Sequence, residues 1–212
     1  MFPFFESISL RKARIENLEE HQHRVDRTFY KFYPNKKVLQ LKEFLSKMEL
    51  PEQGHYKLKI SYHYDHQLCQ FQRYEAQKFE NFILIHSNEL NYNFKFTDRQ
   101  LIEHYKRNLK PNEEIIMLKN NFITDASFAN LIFYDGKKWW TPTSYLLPGT
   151  MRSALLKQNK IQEAEINIQD LARFEKFRDK SVFQSSRKSL FLPLPSEMKK
   201  RAQRNSLRLC RN

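Results

Sequence analysis

The first 89 residues alternate between apolar and polar positions over several stretches, which is the pattern of half-buried strands. In the stretch Phe4–Arg11 this pattern places Glu6, Ile8 and Leu10 on one side. Further strands are predicted at Ala13–Asn17, Tyr56–Tyr64, Cys69–Tyr74 and Phe79–His86. Two helices are predicted between the strands, from Leu18 to about Phe32 and from the N-cap Asn35 to about Met48. Residues 1–89 are therefore predicted to form a small α+β domain.

The pattern after residue 89 is dominated by short strands. These are predicted at Glu113–Lys119, Ala129–Tyr134, Lys138–Thr141 and Glu165–Ile168. Helical spacing is confined to about Asp98–Asn108 and Gly149–Gln158. Asp135-Gly136 between two strands is typical of a hairpin turn. Residues 90–178 therefore predict a second, mostly β domain in a chain of the α+β class.

The composition excludes several classes of protein. Only 3 of the 212 residues are Gly, which excludes the glycine-rich phosphate loops of dinucleotide-binding and P-loop proteins. The two cysteines, Cys69 and Cys210, form neither a disulfide framework nor a zinc-ligand pattern, and this favours a reducing cytoplasm. The N-terminus lacks the basic region of a signal peptide, and no apolar stretch is long enough to span a membrane.

The net charge of +13 raises the question of nucleic-acid binding. About half of this charge lies in residues 179–212, which contain nine Lys and Arg residues and only two acidic residues, Asp179 and Glu197. The rest of the chain is mildly basic. We therefore expect a basic, disordered tail beside a folded body, and nucleic acid is disfavoured as a partner.

The stretch Ile123–Arg152 combines a carboxylate with a turn that suits a phosphate. Asp125 stands just before an apolar strand, and Pro148-Gly149 forms a turn that opens onto Thr150. Backbone N–H groups at such a turn favour an anion, and a carboxylate favours a protonated ring nitrogen. The stretch therefore predicts a site for a heteroaromatic cofactor that carries a phosphate.

Four separated motifs follow one another along the chain. They are His21-Gln22-His23-Arg24, Phe94-Lys95-Phe96-Thr97-Asp98-Arg99, Thr124-Asp125 followed by Asn130, and Leu147-Pro148-Gly149-Thr150-Met151-Arg152. In this order they resemble the motifs of the class IV pyridoxal-phosphate enzymes, which include branched-chain and D-amino-acid aminotransferases and aminodeoxychorismate lyases. The resemblance covers roughly Phe4 to Arg178 and implies the two-domain, D-amino-acid aminotransferase-like fold.

The resemblance implies a role for each motif. Lys95 would be the catalytic residue that bonds covalently to pyridoxal 5'-phosphate. Arg24 and the backbone of Gly149, Thr150 and Met151 would hold the phosphate, and Asp125 would contact the ring nitrogen. Asn130, in the same motif as Asp125, would also bind the cofactor. Most members have Glu where Asp125 stands, and many have a hydroxyl residue where Met151 stands.

The motifs indicate the family more clearly than the reaction that the protein catalyses. The Lys95-x-x-x-Arg99 and Thr124-Asp125 forms are most similar to the aminodeoxychorismate lyase branch, which implies a β-elimination giving 4-aminobenzoate and pyruvate in folate synthesis. An aminotransferase for branched-chain or D-amino acids is the alternative. The resemblance also implies an amino-compound substrate and a homodimer. Lesser alternatives are a catalytically impaired protein and a nucleic-acid binder that acts through its tail.

Two histidine pairs have spacings seen in metal sites. They are His21-x-His23 and His63-x-x-His66. Because no third ligand is placed near either pair, both are predicted to be ordinary surface or strand histidines, and no metal site is expected.

Overall fold

The computed structural model describes residues 2–77, 79–180 and 192–193. The chain divides into two compact units. The first contains the residues up to Ala76 together with Tyr92–Arg99, and the second contains Gln77–Asn91 and the described residues from Gln100 onward. In the part of the chain so described, no helix has the length and apolar character needed to cross a membrane.

The first unit is built on an antiparallel sheet with the strand order β2-β1-β3-β4. Its strands are β1 (Phe4–Arg11), β2 (Arg14–Ile15), β3 (His55–Tyr62) and β4 (Gln67–Arg73), and its helices are α1 (Leu18–Phe32) and α2 (Leu41–Leu45). Strand β1 and helix α1 have the predicted bounds. The second strand is shorter than predicted because Lys12 and Ala13 adopt positive φ angles and form the turn that reverses the chain.

Helix α2 departs most from its predicted form. Its N-cap is Gln40 rather than Asn35, so the predicted cap is wrong. The side chain of Gln22 in α1 accepts a hydrogen bond from the Leu41 N–H (2.7 Å) and donates one to the Leu39 carbonyl (2.9 Å). These bonds hold the approach to α2 in a non-helical path, and local sequence spacing cannot reveal them.

The segment Tyr92–Arg99 completes the core of the first unit. Phe94 and Phe96 pack against a cluster built from β1, β3, α1 and α2. An isolated bridge pairs Phe96 with Phe4, and the Phe5 N–H donates to the Lys95 carbonyl (3.1 Å). The N-terminal strand therefore fixes the backbone position of Lys95.

The second unit contains one mixed sheet with the strand order β10-β9-β8-β7-β6-β5, and β11 pairs with both β8 and β12. The strands are β5 (Asn81–His86), β6 (Glu113–Lys119), β7 (Phe122–Ala126), β8 (Asn130–Tyr134), β9 (Trp139–Pro142), β10 (Gln162–Ala164), β11 (Lys176–Lys180) and β12 (Leu192–Pro193). Helices α3 (Gln100–Lys106) and α4 (Thr150–Lys157) and a 3-10 helix (Gln169–Arg173) complete the unit. Strands β5–β6 and β9–β10 pair in parallel.

Two elements of the second unit differ from the sequence prediction. Strand β7 was not predicted, and it places Asp125 inside a strand rather than just before one. The strand predicted at Glu165–Ile168 is wrong, because Asn167 and Asp170 cap each other's backbone and start the 3-10 helix. The predicted Asp135-Gly136 hairpin is confirmed, with Gly136 at a φ of 95°.

The two units are not divided at residue 89, where the sequence places the boundary. Gln77–Asn91 belongs to the second unit because β5 pairs with β6, and Tyr92–Arg99 returns to the first because it packs against β1. The prediction of a disordered tail over residues 179–212 lies outside the described residues, apart from the ends of β11 and the short β12. The α+β class is confirmed in both units.

Candidate active site

The first unit contains a buried ionic cluster centred on Glu6. Its carboxylate is fully buried. Arg24 donates from Nε to Oε1 (2.8 Å) and from Nη2 to Oε2, so the guanidinium holds both oxygens. His21 lies 2.6 Å from Oε2 through its Nδ1. The carboxylate therefore has one cationic partner and one imidazole partner.

The local sequence accounts for this convergence. His21 and Arg24 are three residues apart on α1, so both side chains lie on the helix face that is buried. Glu6 shares its side of β1 with Ile8 and Leu10, which are fully buried. The strand thus directs one carboxylate into the core, and the helix supplies its partners.

These contacts set the charges of the cluster. Burial alone would raise the pKa of Glu6, but the charge and hydrogen bonds of Arg24, aided by His21, outweigh burial and lower this pKa to about 2. Burial lowers the pKa of His21, and the nearby Arg24 and Lys95 lower it further against the opposing effect of Glu6. His21 is therefore neutral at neutral pH and donates its Nδ1–H to an ionised Glu6.

Lys95 lies beside this cluster and is electrostatically coupled to it. Its Nζ is 4.7 Å from the ring centroid of Phe5. Burial is the largest cause of its lowered pKa of about 7, and the positive charge of Arg24 is the next, with smaller contributions from Arg99 and Lys57. At neutral pH a large fraction of this amine is therefore unprotonated and nucleophilic.

The second unit contains a different cluster, built around Asp125. One carboxylate oxygen, Oδ2, accepts the backbone N–H groups of Leu146 and Leu147, both at 3.0 Å. The other, Oδ1, accepts a hydrogen bond of 2.7 Å from the Asn130 amide. The same amide nitrogen donates to the Leu147 carbonyl at 2.9 Å. Asp125 and Asn130, which pair across β7 and β8, thus fix the path of the loop that leads into Gly149.

Gly149 is required by the close approach of Asn130. A Cβ atom at this position would lie 1.7 Å from Asn130 Oδ1. Gly149 is also the N-cap of α4, in an extended conformation, and Thr150 and Met151 form the start of the helix. The N-terminus of a helix carries a partial positive charge that favours an anion.

The charge of Asp125 differs from that of Glu6. Burial raises the pKa of Asp125 to about 6, and the hydrogen bonds from Leu147, Asn130 and Leu146 offset burial only in part. The positive charge of Arg152 lowers the pKa of Asp125 less than these hydrogen bonds do. Its guanidinium donates to other groups, the Pro142 carbonyl (3.1 Å) and Glu163.

The predicted site residues therefore fall into two groups. Arg24 and Lys95 lie in the first unit, and the rest lie in the second, which brings together Asp125, Asn130, Gly149, Thr150 and Met151. Sequence reasoning missed Glu6, although its place beside Ile8 and Leu10 on β1 signalled a buried carboxylate that needs a cation. It also treated His21 as a surface or strand histidine, whereas it is a buried helical residue that bonds to Glu6.

Comparison with protein families matches residues 3–178 to the family described as amino-transferase class IV. The chain belongs to this family. Membership makes it an enzyme of the class IV type and confirms the resemblance drawn from the four motifs.

Individual relatives of this class IV chain agree with that assignment. An uncharacterized protein of Haemophilus influenzae is 32% identical over 181 residues, which span 84% of this chain and 96% of that protein. A crystal structure of a candidate 4-amino-4-deoxychorismate lyase from Haemophilus somnus is 30% identical, with a TM-score of 0.80 over 86% of this chain and 97% of that chain. A candidate amino-acid aminotransferase from Mesorhizobium loti shares the fold, with 18% identity and a TM-score of 0.74 over 91% of this chain and 98% of that chain.

Proposed function

We propose that this class IV chain binds pyridoxal 5'-phosphate and acts as a lyase on 4-amino-4-deoxychorismate, releasing 4-aminobenzoate and pyruvate. The observation that carries the cofactor part is the place of the Lys95 amine, which lies 4.7 Å from the ring centroid of Phe5, on the strand that also bears Glu6, the partner of Arg24. The lowering of the Lys95 pKa to about 7, by burial and then by Arg24, agrees with this placement. The 30% identity with the Haemophilus somnus protein supports the lyase over the aminotransferase. The amino substrate and the homodimer that the resemblance implies belong to the same proposal.

The chemical groups of the predicted site residues suit pyridoxal 5'-phosphate. An aldehyde needs an unprotonated amine, which Lys95 supplies. A dianionic phosphate needs cations or a helix N-terminus, and Arg24 and the start of α4 at Thr150 are of these kinds. A pyridine nitrogen is kept protonated by a nearby carboxylate, which Asp125 would supply. Its Oδ1 suits this contact better than Oδ2, since Oδ1 accepts one hydrogen bond, from Asn130, and Oδ2 accepts two backbone N–H groups.

Glu6 enters the proposal as a residue that positions Arg24. Its carboxylate holds the Nε and Nη2 groups of the guanidinium, so the side chain is fixed before any phosphate binds. Glu6 also opposes the effect of Arg24 on Lys95, because its negative charge raises the pKa of Lys95. Without the Glu6 carboxylate, the pKa of Lys95 would therefore be lowered further.

The bound cofactor would supply an electron sink for negative charge that develops beside the substrate nitrogen. The chain's part in the elimination is proton transfer, because Lys95 Nζ in its neutral form accepts a proton and returns it later. A pKa near the working pH is the optimum for such a group. No further reactant is needed, since the atoms of aminodeoxychorismate equal those of 4-aminobenzoate and pyruvate together.

The cofactor is tested first. Full-length protein mixed with pyridoxal 5'-phosphate should develop a visible absorption band, and borohydride reduction followed by mass spectrometry should find the cofactor attached to Lys95. Lys95→Ala should abolish both signals. Lys59→Ala is the matched control, because the Lys59 Nζ lies 5.5 Å from the same Phe5 ring centroid. Equal labelling of Lys95→Ala and the unaltered protein would overturn the proposal.

The reaction is tested by its products. Pyruvate released from 4-amino-4-deoxychorismate, and lost in Lys95→Ala, supports the lyase. Glutamate formed from 2-oxoglutarate and a donor amino acid supports instead an aminotransferase, the activity after which the matching family is described. Cofactor binding without pyruvate release would keep the family assignment and refute the lyase.

A further inference from the structure

A compact group of potential metal ligands lies on the turn between β3 and β4. It consists of His63, Asp65 and His66, three side chains within four consecutive residues. Their ligand atoms all lie within 4.8 Å of one another. The sequence prediction considered only the two histidines and found no third ligand, but Asp65 stands between them.

The two imidazoles face the same oxygen atom. His63 Nδ1 lies 2.6 Å from Asp65 Oδ1, and His66 Nδ1 bonds to that same Oδ1. The two imidazole nitrogens thus converge on the carboxylate oxygen, and the three atoms form a close cluster at the tip of the hairpin. A metal ion bound among them would replace the Nδ1 hydrogens, which each imidazole can carry on Nε2 instead.

The surroundings fix this arrangement. The His63 N–H donates to the His66 carbonyl at 3.0 Å and closes the turn, while the paired Tyr62 and Gln67 anchor its ends in the sheet. The rings of both histidines are packed as well. Tyr33 lies 5.3 Å from the His63 ring centroid, and Phe2 lies 4.8 Å from that of His66. The three residues therefore lie on a hydrogen-bonded hairpin turn, and the two histidine rings contact aromatic neighbours.

We propose that His63, Asp65 and His66 form a site for a borderline divalent transition-metal ion such as Zn²⁺. Two imidazole nitrogens and one carboxylate suit Zn²⁺ and its neighbours rather than Ca²⁺ or Mg²⁺, which prefer oxygen ligands. Metal–ligand bonds of about 2.1 Å place the ligand atoms roughly 3.3 Å apart, so small side-chain rotations suffice to admit the ion. Water would complete the coordination.

The site is tested with Co²⁺, whose visible spectrum reports coordination by the protein. Untagged full-length protein, without added pyridoxal 5'-phosphate, should bind about one equivalent with the intense visible bands of a low-coordinate site, and Zn²⁺ should displace the bound Co²⁺. His66→Gln and Asp65→Asn should each weaken binding by more than the roughly 10–100-fold that changes outside the coordination shell cause. Zn²⁺ should also raise the thermal midpoint of the unaltered protein and not that of the variants.

Matched controls separate this site from other ligands in the chain. His23→Gln removes another exposed histidine, and Cys69→Ser removes a thiol, so both variants should bind Co²⁺ as the unaltered protein does. Lys95→Ala should bind it as well, which makes the outcome independent of the proposed cofactor chemistry. Absence of a stoichiometric Co²⁺ spectrum, or a spectrum unchanged in both His66→Gln and Asp65→Asn, would overturn the proposal.

Discussion

Two carboxylates in the two units are buried to nearly the same degree and carry opposite pKa shifts. Glu6 is 0% exposed and its pKa is lowered to about 2, whereas Asp125 is 5% exposed and its pKa is raised to about 6. Burial acts in the same direction on both groups. The difference is that Glu6 faces the full charge of Arg24, while Asp125 faces mainly the N–H dipoles of backbone and side-chain amides.

The comparison teaches that the partner, rather than burial, decides whether a buried carboxylate stays ionised. Three N–H groups donate hydrogen bonds to the oxygens of Asp125, but these bonds do not fully offset the free energy lost when the charged carboxylate is removed from water. Glu6 therefore remains an anion over the ordinary pH range. Asp125 changes its protonation near pH 6 and would respond strongly to a cation placed close to it.

The largest expected effect comes from removing the charge that stabilises Glu6. Arg24→Met keeps much of the side-chain volume but leaves a buried carboxylate without its cation, and we expect a loss of about 3–5 kcal/mol in the free energy of unfolding. Urea unfolding at pH 7, without cofactor and followed by circular dichroism, measures this loss.

The control for that experiment removes both charges. Glu6→Gln combined with Arg24→Met should lose clearly less stability than the sum of the two single variants, because the unpaired charge is gone. A loss of less than about 1 kcal/mol in Arg24→Met would mean that the Glu6–Arg24 pair contributes no more to stability than a surface ion pair does. The contrast between Glu6 and Asp125 would then be wrong.

The next effect is a pH dependence in the second unit. The folded-state pKa of Asp125 lies above its usual value, so its contribution to stability is complete at low pH and is lost as the pH rises through about 6. A rise of about two pKa units corresponds to roughly 3 kcal/mol. Unfolding free energies measured between pH 4 and 7 should therefore contain a downward contribution to the slope that Asp125→Asn removes. The lowered pKa of His21 adds an opposite, upward contribution that is the same in both proteins.

Two carboxylates should leave that slope unchanged. Glu6 has a lowered pKa, so its contribution is present above its ordinary pKa and is lost only as the pH falls toward about 2. The pKa of the half-buried Asp135 is also lowered to about 2, first by the Lys138 N–H and then by Trp140. Asp135→Asn should therefore keep the slope between pH 4 and 7, and its loss there would show that the slope is not specific to Asp125.

The smallest of the three effects concerns packing around Asp125. Gly149→Ala would force its Cβ against Asn130 Oδ1, and we expect a loss of about 1–3 kcal/mol in the free energy of unfolding. Removing the obstructing side chain should relieve the strain, so Gly149→Ala should cost less in an Asn130→Ala background than alone. Equal costs in both backgrounds would place the strain elsewhere.

The elements that the sequence predicts correctly are those in which a single hydrophobic pattern is clear. Strand β1 and helix α1 have the predicted bounds because alternation and helical spacing are clear there. Strand β7 was missed although Asn120-Asn121 marks the turn before it, since Asn tolerates the positive φ angles, 50° and 68°, that a tight hairpin needs. Helix α2 was misplaced because Gln22, from another helix, fixes the backbone before it.

The site was predictable as a set of residue types but not as a set of contacts. The motifs pointed to Arg24, Lys95 and Asp125, whose cofactor roles stay predictions. They did not reveal that Arg24 bonds to Glu6 or that Asp125 bonds to the loop before Gly149, because both contacts join positions far apart in the sequence. Pairing of this kind is decided by tertiary packing and not by local pattern.

The return of Tyr92–Arg99 to the first unit has a consequence for biosynthesis. A nascent chain cannot complete the core of this unit when Ala76 leaves the ribosome exit tunnel, because Phe94 and Phe96 are still inside the tunnel. Part of the apolar surface of the amino-terminal sheet therefore stays exposed until β5 and the segment Tyr92–Arg99 have also emerged. A gene fragment that stops at residue 89 would encode this incomplete state permanently, whereas one that retains Tyr92–Arg99 would supply the missing aromatic residues.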